Sequence, residues 1–366
     1  MRKLADRIIL VLNAIAAAGM LLAYLAPVVN PSKAIIPALF GLAYPFLLLL
    51  NLLLMCYWLI QLKKELFITL IVILLGWNHL NNLLPLNLKD AKIPGSSSPD
   101  RMIKALSYNV RGFDRYNWTT DPQIKREILD FTIEQDPDIL CFQEYYSSSR
   151  KGESHSKFLK ELRILPESAV YYTVDQANKS GFGIATFSRY PIIKKSRIPF
   201  NTSFNAAMYT DILFQLDTIR VFNVHLQSIN FRQEDYAFMD TVRLKYSHEQ
   251  IRGIKNIGSQ LKKAFTLRVE QSEMIANYIK NSPFPVVVMG DFNDTPQSYA
   301  YHKIKKGMHD AFRVAGRGFG NTYAGELPSF RIDYIMYSNP ITSFQFKRIK
   351  TDYSDHFPIT TWLYFP

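Results

Sequence analysis

Val286-Val-Val-Met-Gly-Asp-Phe-Asn293 is the stretch on which the reading of this chain turns. Four apolar residues form a buried strand, Gly290 breaks it, and two polar side chains follow two positions apart. In extended geometry Asp291 and Asn293 face the same side, so both can serve one site. An ordinary Asp/Asn turn is the structural alternative, because both residue types favour turns.

Similar β-branched and aromatic runs lie on either side: Ile103–Val110, Ile139–Gln143, Ile219–Leu226 and Ile332–Tyr337. Helices intervene. Asp121 and Pro122 make a cap and first turn for a helix reaching Gln135, with Ile124, Ile128 and Phe131 on one face. A second helix is expected over Phe265–Lys280, with Leu267, Met274 and Tyr278 inward. This alternation fits an α+β fold of two packed sheets covered by helices.

The N-terminal portion differs in kind. Three apolar stretches, Ile8–Ala26, Ala34–Leu62 and Leu66–Leu84, approach or exceed the ~20 residues that cross a bilayer. They are expected to form three transmembrane helices within residues 1–88, with Asn78, His79, Asn81 and Asn82 at the membrane interface. A cleaved signal peptide is the alternative for the first, but its apolar core exceeds the usual ~7–15 residues and a second span follows at once. Residues 89–100, rich in Pro, Gly and Ser, read as a linker to a domain over 101–366. Arg2, Lys3 and Arg7 precede the first stretch and Lys63 and Lys64 follow the second, which places the N-terminus inside. Three crossings then put the domain outside, on the periplasmic face of a bacterial inner membrane. A reporter active only outside the cytoplasm, fused after Asp100, reads this orientation directly, and silence there would place the domain inside.

The net charge of +12 favours anionic partners, from nucleic acid to acidic lipid headgroups. Only two cysteines occur, Cys56 in an apolar run and Cys141 in a core strand, so neither a structural disulfide nor a zinc site is expected.

Beyond residue 100 the chain carries Leu106-Ser-Tyr-Asn-Val110, Phe142-Gln-Glu144, Ser188-Arg-Tyr-Pro-Ile192, Asn223-Val-His-Leu226, Gly290-Asp-Phe-Asn-Asp294, Arg331-Ile-Asp-Tyr-Ile335 and Ser354-Asp-His356, in that order. Each is weak alone, whereas the ordered series is specific. Together they resemble the endonuclease/exonuclease/phosphatase family, here as a membrane-anchored bacterial-type member. The resemblance implies a four-layer α/β/β/α sandwich with a metal site at one sheet edge. It also implies hydrolysis of phosphodiester bonds by in-line attack of an activated water. A degenerate, catalytically inactive binding module is the non-enzymatic alternative, since fold does not imply function, although every expected acidic, amide and imidazole position is filled.

Hydrolysis of a phosphate ester needs an oxygen-ligated cation to absorb developing charge, a proton acceptor for water, and donors on the non-bridging oxygens. By resemblance Glu144 is the principal ligand of Mg2+, with Mn2+ as the alternative ion, and Asn109 and Asp355 stand beside it. Without the motif order, Glu144 would read as a strand-end acid paired with a basic residue and Asn109 as a turn former. The family assigns Asp291 to the attacking water and Asn293 to the phosphate. His225 matches the histidine that contacts the scissile phosphate or protonates the leaving oxygen. Asp333 and His356 supply a carboxylate and an imidazole, the pair a general base requires. Asn109, His225 and Asn293 are therefore the expected substrate contacts. No catalytic role is expected of Ser188, Arg189, Tyr171 or Tyr172.

Residues 229–268 form an insertion bearing Arg243, Lys245, Arg252, Lys255, Lys262 and Lys263, with Ile251, Ile254, Leu261 and Phe265 at near-helical spacing. Such a segment suits a membrane surface or an anionic substrate, or is a solvated helix packed on the domain. Two substrate classes follow: nucleic acid, or a phospholipid or sphingolipid headgroup cleaved in the manner of a phospholipase C or phosphatase. No obligate protein partner is implied.

Overall fold

The computed structural model describes residues 2–87, 99–116, 121, 123–148, 154–173, 181–200, 205–229, 231, 234–235, 248–325 and 328–366. Most of the expected linker, together with Pro122, Arg243 and Lys245, lies outside them.

Helices α1 (Arg2–Tyr24), α2 (Ile36–Leu42), α3 (Tyr44–Ile60), α4 (Leu66–Leu75) and α5 (Trp77–Leu83) form the N-terminal bundle. The expectation of three transmembrane helices is corrected here, because among the described residues only Lys3–Tyr24 is one helix long and apolar enough to cross a membrane. The second stretch bends by 68° between α2 and α3, and the third by 73° between α4 and α5. Each break has a cause. Pro45 begins α3, where a proline cannot extend the preceding helical ladder. At Gly76 a Cβ would collide with the Tyr24 ring, whose hydroxyl donates to Val72 O at 2.9 Å. Inside the bundle, Asn13 Nδ2 donates to Thr69 Oγ1 (2.8 Å) and Trp58 Nε1 donates to Asn13 Oδ1 (3.1 Å), so the buried amide is satisfied.

The polar end of the third stretch does not serve as a membrane interface alone, since it docks on the C-terminal domain. His79 Nδ1 lies 2.7 Å from Gln297 Oε1, Gln297 Nε2 donates to His79 O at 2.9 Å, and Arg331 Nη2 donates to Asn82 O at 3.0 Å. The His79 imidazole and the His79 and Asn82 carbonyls therefore find protein partners, which offsets the cost of burying them.

In the domain, β1 (Met102–Asn109), β2 (Ile139–Ser147), β3 (Glu167–Tyr172), β4 (Gly181–Ser188), β11 (Thr342–Arg348) and β12 (Ile359–Tyr364) form one sheet in the order β11-β12-β1-β2-β4-β3. The second sheet, ordered β5-β6-β7-β8-β10-β9, contains β5 (Ile192–Ile198), β6 (Ala206–Phe214), β7 (Asp217–His225), β8 (Val286–Asp291), β9 (Met308–Asp310) and β10 (Asp333–Ser338). Among the described residues only β1/β2 and β7/β8 pair in parallel. Strand residues pointing between the sheets, among them Ala105, Cys141, Val221, Met289, Ile335 and Leu363, make the central core. Both cysteines are free, as their settings implied.

Outer layers complete the sandwich. On the first sheet, α6 (Ile124–Gln135) and α7 (His155–Leu162) bury Ile128, Leu129, Phe158 and Leu162. On the second, α8 (His248–Lys280) and α9 (Tyr299–Lys305) bury Ile275, Tyr301 and Ile304. A short α10 (Ala311–Ala315) follows β9. The helix expected from Phe265 begins at His248 instead and takes in half of the basic insertion, whose Ile257, Leu261 and Phe265 stand at four-residue spacing on one face.

Candidate active site

The strand ends nearest the N-terminal bundle carry the chemistry. In the second sheet the register sets His225 beside Asp291 and Asp291 beside Asp333, so three side chains from three strands share one row. Gly290 makes this approach feasible: its φ is 145°, and a Cβ there would collide with Val224 O. In the first sheet Asn109 pairs with Gln143, which puts Glu144 one residue beyond.

Glu144 is not at a strand terminus, as its sequence suggested, because β2 continues to Ser147. The register of β2 on β4 shifts between Phe142 and Tyr145, and Glu144 has φ 51°. That bulge re-aims the carboxylate out of the pleat and leaves it 34% exposed. Asn293 likewise departs from the extended geometry expected of it. With φ 51° it closes a turn in which its own N–H donates to Asp291 Oδ1 at 2.7 Å. The Asp/Asn turn and the shared site are thus one and the same arrangement.

All eight expected residues come together. Asn109 Nδ2 lies 3.3 Å from Glu144 Oε1 and 3.1 Å from Asp291 Oδ2, and its Oδ1 accepts from Arg111 N at 3.1 Å. His225 Nε2 stands 3.7 Å from both Glu144 Oε1 and Asp291 Oδ2. Asn293 Nδ2 donates to Leu226 O (3.0 Å) and Asp291 Oδ2 (3.1 Å). His356 Nδ1 lies 2.9 Å from Asp333 Oδ2, while its Nε2 faces Asp291 Oδ2 at 3.8 Å. Asp355 meets Arg111 Nε at 3.4 Å, and Ser354 Oγ donates to Asn109 O at 2.8 Å, which ties this loop to β1.

Electrostatics separate the roles. Burial first, and then the Asp355 charge, push Glu144 above the usual carboxylate range. Two acids that repel across a half-buried bulge, with the Asn109 amide beside them, are a donor set suited to a hard divalent cation. Burial also raises Asp291, to about 6, against the opposing pull of His356. For His356, burial works against the charged form, but Asp333 and Asp291 outweigh it and hold the imidazolium well above the usual histidine range. His225 is lowered by burial. Its Nε2 is buried without a hydrogen-bond partner among the described residues, so an oxygen-rich ligand entering the site would satisfy it.

Asp291, Asp333 and His356 also bring ligand atoms within 4.8 Å of one another. Because Asp333 already engages His356 Nδ1, chelation by these three would dismantle the dyad. The oxygen set around Glu144 is the better cation seat on that ground.

Several participants carried no separate signal in the sequence. Arg111, Gln143 and Asn223 are among them: Gln143 Nε2 donates to Asn223 Oδ1 at 2.8 Å, and Asn223 Nδ2 donates to Ala185 O at 2.9 Å, plugging the gap between sheets beneath the site. Arg268 joins the loops after β7 and β8, pairing with Asp294 Oδ2 at 2.9 Å and donating to Gln227 O at 2.7 Å. Positions inside or beside the quoted motifs were the available hint for Arg111, Gln143 and Asn223, and Arg268 had none. Arg189, by contrast, pairs with Asp136 and Asp138, and Tyr172 hydrogen-bonds Ser147, so neither reaches the site.

A two-sheet sandwich with a carboxylate, amide and imidazole cluster across its strand ends defines a phosphoesterase type of architecture. Residues 106–356 match the Endonuclease/Exonuclease/phosphatase family, and the chain belongs to that family. Its members are in general phosphoester hydrolases that use divalent metal ions. Residues 6–83 match a domain of unknown function. No curated protein matches the chain. Among solved structures, an endonuclease/exonuclease/phosphatase from Bacteroides vulgatus shares the fold at TM-score 0.53 and 17% identity, covering 72% of this chain and 99% of that one. D. rerio TDP2 complexed with single strand DNA product aligns at TM-score 0.51 and 17% identity over 72% of this chain and 98% of that one. The human Nocturnin catalytic domain with bound sulfate anion aligns at 0.52 and 15% over 74% and 96%.

Proposed function

We propose that this chain is a membrane-anchored, divalent-cation-dependent phosphodiesterase. The observation that carries the reading is the single network joining Glu144, Asn109, His225 and Asp291 to the Asp333–His356 dyad. Glu144, Asn109 and Asp355 would hold Mg2+ or Mn2+, which when bound neutralises charge developing on the phosphoryl oxygens. His356 Nε2 accepts the proton of the attacking water, and Asp333 fixes the ring by taking its Nδ1–H. Asp291, held by Asn109 and Asn293, orients that water in line with the leaving oxygen. His225, with its orphaned nitrogen, and Asn293, whose donor to Asp291 can be exchanged, bind non-bridging oxygens. Water adds to phosphorus, the bond to the leaving oxygen breaks, and that oxygen takes up a proton.

Helix α1 is the membrane anchor, and Arg2, Lys3 and Arg7 at its start support an internal N-terminus with the domain on the outer face. Nucleic acid and lipid headgroups are both phosphodiester substrates within this reading.

The test is hydrolysis of bis(4-nitrophenyl) phosphate by the purified full chain. Activity is expected with Mg2+ or Mn2+, is abolished by chelation, and falls at least about a hundredfold in Glu144→Ala. Turnover that survives chelation would reject the cation, and a Glu144→Ala enzyme within tenfold of wild type would reject the site.

A further inference from the structure

A cavity of about 650 Å³ opens beside the catalytic residues and is shared with the N-terminal bundle. Glu144, Asn293, Asp355 and His356 belong to its wall. So do Leu39 and Leu42 of α2, Phe46 of α3, Leu261 and Phe265 of α8, and Phe330. The rings of Phe46 and Phe330 meet edge to face at 6.3 Å, closing bundle against domain at this wall. We propose that this cavity receives the hydrocarbon tail of an amphiphilic phosphodiester, so that the substrate is a lipid whose scissile phosphate lies at Glu144 and whose tail runs toward α2 and α3. The inference rests on the phosphodiesterase reading and narrows its substrate class.

Three observations favour a tail over a nucleic-acid strand. A nucleic-acid groove needs unpaired cations along the backbone track. Here the two arginines of the wall each face a carboxylate, Arg111 with Asp355 at 3.4 Å and Arg268 with Asp294 at 2.9 Å. Apart from Arg268, the basic side chains at the centre of α8 point elsewhere: Arg252, Lys255, Lys262 and Lys263 are exposed, while Ile257, Leu261 and Phe265 of the same helix line the cavity. That division places the cations where acidic headgroups of a surrounding bilayer would lie and the apolar face where a chain would. Finally, the wall contributed by α2 and α3 comes from a broken apolar segment, and such irregular backbone beside a membrane helix is tolerated where it borders a cavity.

The test uses the full chain kept soluble in amphipol, with methyl, octyl and hexadecyl 4-nitrophenyl phosphate diesters and a single-stranded DNA oligonucleotide. Each methylene withdrawn from water is worth roughly fourfold in binding, so a partly buried tail should raise kcat/KM of the hexadecyl ester at least about thirtyfold over the methyl ester. Leu42→Trp and Leu261→Trp, which fill the cavity, should each cut the hexadecyl-to-methyl ratio at least about tenfold, and the ratio cancels any loss common to both substrates. A wild-type ratio within threefold overturns the proposal, as does an unchanged ratio in both variants or faster cleavage of the oligonucleotide than of the hexadecyl ester. Cleavage of the methyl ester without tail preference leaves the phosphodiesterase reading intact and removes this one. Failure to cleave any substrate removes both.

Discussion

His356→Ala is expected to lower kcat about a thousandfold, within the range typical of a general acid or base, with little change in cation affinity. The imidazole does two things no neighbour can replace: Nδ1 is locked to Asp333 at 2.9 Å and Nε2 is presented toward Asp291 at 3.8 Å. The pH profile adds a signed test. Burial opposes the imidazolium, but Asp333 and Asp291 raise its pKa overall, so the base form appears only as pH climbs through a raised value. The acid limb of kcat/KM should therefore lie above the ~6.5 of an unperturbed histidine. Asp333→Asn removes the largest raising charge, so its limb should move to lower pH while the plateau falls. An alanine variant within tenfold of wild type, or a limb that moves upward in Asp333→Asn, would contradict the dyad.

Arg331→Met should destabilise the chain by about 3–5 kcal/mol, because one partner of a buried ion pair is removed and the other stays behind. Arg331 and Asp310 are each 1% exposed and meet at 2.8 Å. The guanidinium also stacks near Phe312 and Tyr334 and donates to Asn82 O in α5, so it fastens the bundle to the domain. Burial raises Asp310, but Arg331 pulls it further down, below the usual carboxylate range. Its contribution to stability is thus complete above the unfolded pKa of ~3.9 and is lost as pH falls through the lower folded value. In the variant the strongest opposing pull is gone, so burial, set only against the Tyr301 hydroxyl, Phe312 N–H and Lys305, moves Asp310 upward. The deficit should be largest near neutrality and should shrink as acid protonates the orphaned carboxyl. Denaturant melts at two pH values measure this, and a deficit under 1 kcal/mol or one that grows in acid would refute it.

The motif order in the sequence already named the residues that meet, since Asn109, Glu144, His225, Asp291, Asn293, Asp333, Asp355 and His356 share one network. How they meet was less legible. A bulge at Glu144 and a positive φ at Asn293 are decided by tertiary pairing, and neither leaves a period in the sequence. The breaks at Pro45 and Gly76 were hidden inside unbroken apolar runs, because hydropathy sums length and says nothing of direction. The polar residues after Trp77 looked misplaced for a membrane because their partners, Gln297 and Arg331, lie more than two hundred positions away.

In the proposed enzyme Glu144, Asn109 and Asp355 form a cation seat beside an intact Asp333–His356 dyad. Anomalous diffraction from crystals soaked in Mn2+ tests it most directly. A peak is expected within ~2.5 Å of a Glu144 carboxylate oxygen, the range for a hard cation on oxygen ligands, with the hydrogen bond between His356 and Asp333 intact. A peak held instead by Asp291, Asp333 and His356, with His356 Nδ1 turned away from the Asp333 carboxylate, would contradict it.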